Sequence, residues 1–178
     1  MKLTFLGTGT SFGVPQIGCS CRVCTSSDER DRRCRTSVVV EQNDRRILVD
    51  TPPELRLAMV RSGISGVDAV LYTHDHADHT HGIDDLRALS GHRRGTLPIY
   101  GPADALERMT RKFDYVFDPA VRPIPGSARP AVTITPLEPG TPVTVAGMAL
   151  LPLAFDHGPT TVFGYRFGLV AYVADVKS

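Results

Sequence analysis

The sequence lacks several features that mark specialised classes of protein. It has no tryptophan, and 20 Lys and Arg residues are balanced by 19 Asp and Glu residues, so its formal net charge is only +1. A near-neutral chain is not a strongly basic nucleic-acid module, although a local basic patch is compatible with this composition. There is no run of about 18 apolar residues, and residues 1–13 lack the charged-then-apolar order of a signal peptide. We therefore expect a cytoplasmic protein without a membrane span.

The length and composition are those of an ordinary globular chain. With 178 residues and 42% hydrophobic content, it is predicted to form one domain over residues 1–178. A chain of this size buries about 70% of its unfolded surface and needs no disulfide framework. Strand-like and helix-like segments alternate in the first half, and strands dominate after the Pro-rich segment 118–130. This order fits an α/β arrangement of two sheets layered between helices.

Cysteine is scarce but concentrated. Three of the four cysteines form the pattern Cys19-x-Cys21-x-x-Cys24. Thiolates at this spacing can converge on one Zn²⁺ ion, because tetrahedral zinc accepts soft ligands from a tight turn. Reduced surface thiols or one local disulfide are the alternatives, but a cytosolic chain has little use for three unligated thiols together. We predict a structural zinc site, whose fourth ligand is Cys34, water or a neighbouring chain.

Histidine is concentrated as well, since four of the six histidines lie within residues 74–81, directly after the predicted strand 67–72. In an extended segment His74 and His76 point to the same side, because side chains alternate. A turn before Gly82 would bring Asp78 and His79 back to the same point. Imidazole and carboxylate are ligands of Zn²⁺, Mn²⁺ and Fe²⁺, so we predict a metal centre rather than a solvated loop.

The run His74-x-His76-x-Asp78-His79 resembles the H-x-H-x-D-H signature of the metallo-β-lactamase superfamily of metallohydrolases. The opening Gly-Thr-Gly loop at 7–9 belongs to the same resemblance. Segments 18–24 and 81–87 are similar to the phosphoribosyl cyclic phosphodiesterase branch, a sister of the tRNA 3′-processing endonucleases. The resemblance implies an αββα four-layer sandwich.

The resemblance also implies two divalent metal ions, Zn²⁺ or Mn²⁺. It places three ligands on the first ion, two on the second and one between them, namely His74, His76 and His157, then Asp78 and His79, then Asp175. Asp78 would in addition accept a proton from the attacking water. Asp50, at the end of a predicted strand, would orient a ligand imidazole.

Such a centre suits an anionic substrate, because two divalent cations exceed the charge of two carboxylates and a bridging hydroxide by one unit. A phosphodiester fits best, since paired metals activate water and neutralise phosphoryl oxygens. We expect a small cyclic ester such as phosphoribosyl 1,2-cyclic phosphate, and no nucleic-acid partner. The alternatives are a tRNA 3′-processing-type endonuclease, for which no Gly-rich or basic arm is evident, and a metal-binding fragment without turnover.

Members of the resembled family continue well beyond the bridging aspartate, whereas no histidine follows His157 here. We therefore expect a C-terminally incomplete sandwich that binds its second metal more weakly than its first. An exposed sheet edge and apolar surface would favour self-association, including a homodimer. Without a positioned general acid, the rate would fall by on the order of 10²–10⁴.

Overall fold

A computed structural model of the chain describes residues 1–91 and 95–176. His92, which the sequence predicts to be exposed and without a role, lies outside these ranges. The first sheet has six strands in chain order, β1 (Lys2–Gly7), β2 (Ser37–Gln42), β3 (Arg45–Val49), β4 (Ala69–Leu71), β5 (Leu97–Gly101) and β6 (Val132–Pro136). The second sheet has four, also in chain order, β7 (Val143–Val145), β8 (Met148–His157), β9 (Thr160–Phe167) and β10 (Val170–Tyr172).

The described residues also form five α-helices and two 3₁₀ turns. The helices are α1 (Leu55–Arg61), α2 (Ala77–Thr80), α3 (Leu86–Gly91), α4 (Ala103–Lys112) and α5 (Asp114–Phe117), and the 3₁₀ turns are Glu29–Asp31 and Ile83–Asp85. In the part of the chain that the structure describes, no helix is long and apolar enough to cross a membrane.

Asn43-Asp44 between the apolar runs 37–40 and 47–49 predicts a hairpin, and these two residues do close the β2–β3 hairpin. Both residues have positive φ, 51° and 59°. Positive φ at both central residues is the geometry of a type I′ turn, whose twist matches that of the flanking strands. The hairpin places β3 beside β4, and from β3 to β6 the strands run parallel. The carboxyl ends of these parallel strands therefore meet at one edge of the sheet.

Two apolar cores fill the spaces between adjacent layers. Along β3, Leu48 contributes to a core shared with the helices, while Ile47 and Val49 contribute to a core shared with the second sheet. This alternation follows from the period of two in a strand. The described residues thus build a helix layer, the first sheet and the second sheet, and the predicted α/β layering is confirmed.

Some local elements differ from the sequence prediction. The apolar spacing of residues 83–89 predicts one helix, whereas the structure has the 3₁₀ turn Ile83–Asp85 followed by α3. Neither α2 nor α5 is predicted, because four residues are too few to show a helical period. Of the two, α2 matters for the site, since it lies inside the histidine-rich segment.

Candidate metal centre

Three predicted histidine ligands converge at the edge where β4 ends. His74 and His76 follow β4, and His157 is the last residue of β8 in the other sheet. One ring nitrogen of each lies within 4.8 Å of the others. The ring centroids of His76 and His157 are 5.1 Å apart although 80 positions separate them in the chain. The two sheets therefore bring together three imidazoles that one cation could bind.

A second group lies beside the first and consists of His74, His79 and Asp175, whose candidate ligand atoms are also within 4.8 Å of one another. Nε2 of His79 is 2.9 Å from Oδ2 of Asp175 and 3.5 Å from Oδ2 of Asp78. The family resemblance assigns His74 to the first ion alone, whereas the structure places its ring in both groups. Nε2 of His74 lies 3.6 Å from Oδ2 of Asp175.

The residues present fit divalent metal ions. Nε2 of His74 is buried and has no hydrogen-bond partner among the described residues. An unpaired buried polar atom costs about 1–3 kcal/mol, and a cation at this position would supply the missing partner. The surrounding atoms are imidazole nitrogens and carboxylate oxygens, which suit Zn²⁺ and Mn²⁺ alike.

Asp50 and Thr73 form hydrogen bonds with the Nδ1 atoms of His79 and His74, respectively. The completely buried Asp50 accepts hydrogen bonds from His79 Nδ1 at 2.7 Å and from the Thr73 hydroxyl and main-chain N–H at 2.9 and 2.8 Å. Because the Thr73 hydroxyl donates its one hydrogen to Asp50, it accepts from Nδ1–H of His74 at 2.9 Å. This tautomer leaves the lone pair of His74 Nε2 free for a cation.

Thus Asp50 orients an imidazole as predicted, but sequence reasoning missed Thr73. The signal available for it was a hydroxyl residue between the end of a buried strand and the first histidine. Both main-chain polar groups of Thr73 are hydrogen-bonded. Its N–H donates to Asp50, and its carbonyl accepts from the Phe163 N–H of β9 at 2.9 Å.

In the metal-free protein the pKa values of the two buried imidazoles, His74 and His79, are shifted in opposite directions. Burial lowers the pKa of His79, but the carboxylates of Asp50 and Asp175 outweigh burial and raise the pKa to about 10. Burial, together with the charge of His79, lowers the pKa of His74 to about 4. The hydrogen bond from His79 in turn lowers the pKa of Asp175. One proton is therefore held where a cation would otherwise balance the carboxylates.

The predicted cysteine cluster also forms. The sulfur atoms of Cys19, Cys21 and Cys24 lie within 4.8 Å of one another, and these cysteines are free. Hydrogen bonds from the Cys24 main chain and the Cys19 thiol lower the pKa of the Cys21 thiol to about 7. Cys34 packs instead against the core beneath the helices, so it is not a fourth member of the cluster.

Comparisons with known proteins agree with this geometry. A family model described as the beta-lactamase superfamily domain matches residues 45–178. The crystal structure of a diphosphatase from the PhnP family superimposes with a TM-score of 0.83 and 37% identity, over 98% of this chain and 66% of that chain.

Two curated relatives match over most of this chain. An octanoyltransferase of Porphyromonas gingivalis is 39% identical over 178 residues, which are 99% of this chain and 35% of that protein. A ribonuclease Z of Bradyrhizobium diazoefficiens is 29% identical over 169 residues, which are 93% of this chain and 49% of that protein. The chain therefore spans between a third and a half of the length of these curated relatives.

Proposed function

The chain belongs to the metallo-β-lactamase superfamily and resembles its PhnP branch, and from this membership we propose that it hydrolyses phosphodiester bonds with two divalent metal ions. The observation that carries the proposal is the meeting of the two histidine groups at one sheet edge, where a buried nitrogen of His74 has no hydrogen-bond partner among the described residues. The 37% identity to a diphosphatase supports a phosphate-based substrate.

The proposed ligands divide into two sets that share one carboxylate, namely His74, His76 and His157, then Asp78 and His79, with Asp175 between them. When bound, the ions would activate water and neutralise charge on the phosphoryl oxygens. Zn²⁺ and Mn²⁺ are both candidates, because imidazole and carboxylate serve either. A further structural Zn²⁺ is proposed for Cys19, Cys21 and Cys24, at thiols that a reducing cytoplasm would keep available.

The chain's own residues would orient the reactants and move one proton. Asp78 is the proposed proton acceptor, since its carboxylate is partly accessible and lies 3.5 Å from Nε2 of His79. As the water oxygen bonds to phosphorus, its proton passes to Asp78, the bond to the leaving oxygen breaks, and that oxygen takes a proton from solvent. Asp50 and Thr73 hold the imidazoles at fixed angles throughout, which keeps the site preorganised.

The proposed substrate is a small cyclic phosphodiester such as phosphoribosyl 1,2-cyclic phosphate. The identity to a ribonuclease Z supports RNA 3′-end cleavage as a second candidate. A metal-binding fragment without turnover is the third, and it predicts bound metal without hydrolysis.

The test is to load the purified chain with Zn²⁺ or Mn²⁺, count the bound metal by elemental analysis, and assay a panel of phosphate esters. The panel contains bis-p-nitrophenyl phosphate, the cyclic ribose ester, a diphosphate diester and a precursor tRNA. Asp78→Asn is expected to lower turnover by on the order of a hundredfold or more. The matched control is Asp156→Asn, an exposed carboxylate next to His157, which should leave turnover unchanged. Bound metal with no hydrolysis of any ester, or no bound metal, would overturn the proposal.

A further inference from the structure

The acidic residue between the first two histidines faces away from them. Asp75 is buried, with its side chain 8% exposed, and it points to the helix layer. Nε of Arg108 donates to its Oδ1 at 2.9 Å, and Nζ of Lys112 donates to its Oδ2. Lys112 also donates to the main-chain carbonyl of Asp75 at 2.8 Å. Two cationic side chains on one face of α4 thus bind Asp75, which lies within the histidine-rich residues 74–81.

The helix that supplies these cations is itself firmly anchored. Its residues Ala105, Leu106 and Met109 are buried, and Leu106 and Met109 belong to the core beneath the helices. A side chain projecting from such a packed element keeps a more constant position than one from a loop. Arg108 and Lys112 therefore hold Asp75 at a fixed distance from α4.

His76 is a proposed ligand whose ring lacks a supporting hydrogen bond within the described ranges. The rings of His74 and His79 are each held through Nδ1, by Thr73 and Asp50. The ring of His76 has no hydrogen-bond partner within residues 1–91 and 95–176, although it contacts the rings of His74 and His157. The main chain on either side of His76 therefore contributes to the direction of its ring. On the carboxyl side, the His76 carbonyl accepts from the Thr80 hydroxyl at 2.9 Å. On the amino side, the peptide that joins Asp75 to His76 is held through its carbonyl by Lys112.

We propose that Lys112 and Arg108 are positioning residues for the metal centre, which act through Asp75 to fix the peptide that carries His76. This inference rests on the proposed function, because it assumes that His76 binds a metal. The supporting partners of metal ligands typically change metal affinity by about 10–100-fold when they are removed. If the contacts of Lys112 and Arg108 with Asp75 served the fold alone, their removal would lower stability without a selective loss of metal affinity at the group that contains His76.

The test variant is Lys112→Met, and the matched control is Arg111→Met, which removes an exposed cation of similar length from the same helix. The dissociation constant for Co²⁺ is measured by competition with a chelator. The visible absorption spectrum of the Co²⁺ protein is recorded as well. Lys112→Met is expected to weaken Co²⁺ binding by about tenfold and to alter the spectrum. Arg111→Met should remain within about twofold of the unmodified chain. Thermal unfolding of the metal-free variants checks that each is folded, and Arg108→Met provides a second variant with the same expected direction.

A double variant separates positioning from general loosening. In a His76→Ala chain the remaining histidine-containing group is His74, His79 and Asp175. If Lys112 acts through His76, adding Lys112→Met to that chain leaves its residual Co²⁺ affinity within about twofold, because the two changes are coupled. Equal affinity in Lys112→Met and Arg111→Met, or the same tenfold loss in the His76→Ala chain, would overturn the inference. An unmodified chain that binds no Co²⁺ would overturn the proposed function as well, whereas one that binds Co²⁺ and hydrolyses esters would leave it standing.

Discussion

The Asp50 carboxylate joins two strand ends, since it bonds His79 directly and His74 by way of the Thr73 hydroxyl. It follows β3, it is completely buried, and it accepts three hydrogen bonds from Thr73 and His79. Its φ of 63° lies in the left-handed region, which aspartate tolerates better than most residues. A buried carboxylate is costly unless it is paired and hydrogen-bonded. Here the imidazolium of His79 supplies the opposite charge, which explains why the metal-free site holds a proton.

The raised pKa of His79 predicts how the stability of the metal-free protein depends on pH. The pKa is about 10 in the folded chain and about 6.5 when unfolded. Because folding raises the pKa, the stabilisation is fully present below pH 6.5 and is lost as the pH rises through 10. Between these values the free energy of unfolding should fall by about 1.4 kcal/mol per pH unit from this group. Urea unfolding in the presence of a chelator measures it.

The matched comparison uses two histidine variants. His79→Gln should lose this component of the slope between pH 7 and 9. His81→Gln removes an exposed histidine two positions further along and should keep it. Equal slopes in the unmodified chain and His79→Gln would show that His79 does not hold the proton.

At the scale of elements, α2 depends on close contact with the loop after β3. The Thr51 N–H donates to the His79 carbonyl, and the Gly82 N–H donates to the Thr51 carbonyl, both at 2.8 Å. A Cβ at Gly82 would lie 2.1 Å from the Pro52 carbonyl oxygen. The two loops therefore interlock only because residue 82 has no side chain. This contact sets where the helix that carries Asp78 and His79 sits.

Gly82→Ala is expected to destabilise the protein by about 2 kcal/mol, since the backbone of one loop has to move. Urea unfolding of the metal-free protein provides the measurement. Gly66→Ala is the control, because a Cβ there meets nothing within 4 Å and the residue has no positive φ. If both variants unfold at the same urea concentration, the interlocking of the loops contributes nothing to stability.

At the scale of the whole molecule, the site exists because two sheets pack face to face. His157 ends β8 and Asp175 follows β10, while the other proposed ligands follow β4 in the first sheet. Hydrogen bonds from β9 to the residues after β4 join the sheets at this edge. The Tyr165 hydroxyl donates to the Tyr72 carbonyl at 2.6 Å, and the Phe163 N–H donates to the Thr73 carbonyl at 2.9 Å.

Tyr165→Phe is expected to reduce the free energy of unfolding by about 1–2 kcal/mol, because it leaves the buried Tyr72 carbonyl without this donor. Tyr100→Phe is the control, since Tyr100 also packs against the core between the sheets and its hydroxyl makes no hydrogen bond within the described ranges. Its expected change is below about 0.5 kcal/mol. Similar losses in both variants, measured by urea unfolding, would mean that the hydroxyl of Tyr165 adds nothing beyond the packing of its ring.

Much of the fold is readable from the sequence, because local patterns act over a few residues. The apolar runs 37–40 and 47–49 predict two strands, and Asn43-Asp44 between them predicts the hairpin turn. The histidine spacing likewise predicts a metal centre, and the cysteine spacing predicts a second cluster. Each of these features depends on neighbours in the chain, whose geometry is set by strand and turn periodicity.

Tertiary structure alone decided how these pieces meet. No local pattern places His157 5.4 Å from His74, measured between ring centroids, or puts His74 in both ligand groups. The roles of Thr73, Asp75 and Lys112 were likewise invisible, because their partners lie on other elements. Hydrogen bonds and charge pairs between distant segments depend on sheet packing and helix docking, and those follow from burial of the whole chain's apolar surface rather than from any short run of residues.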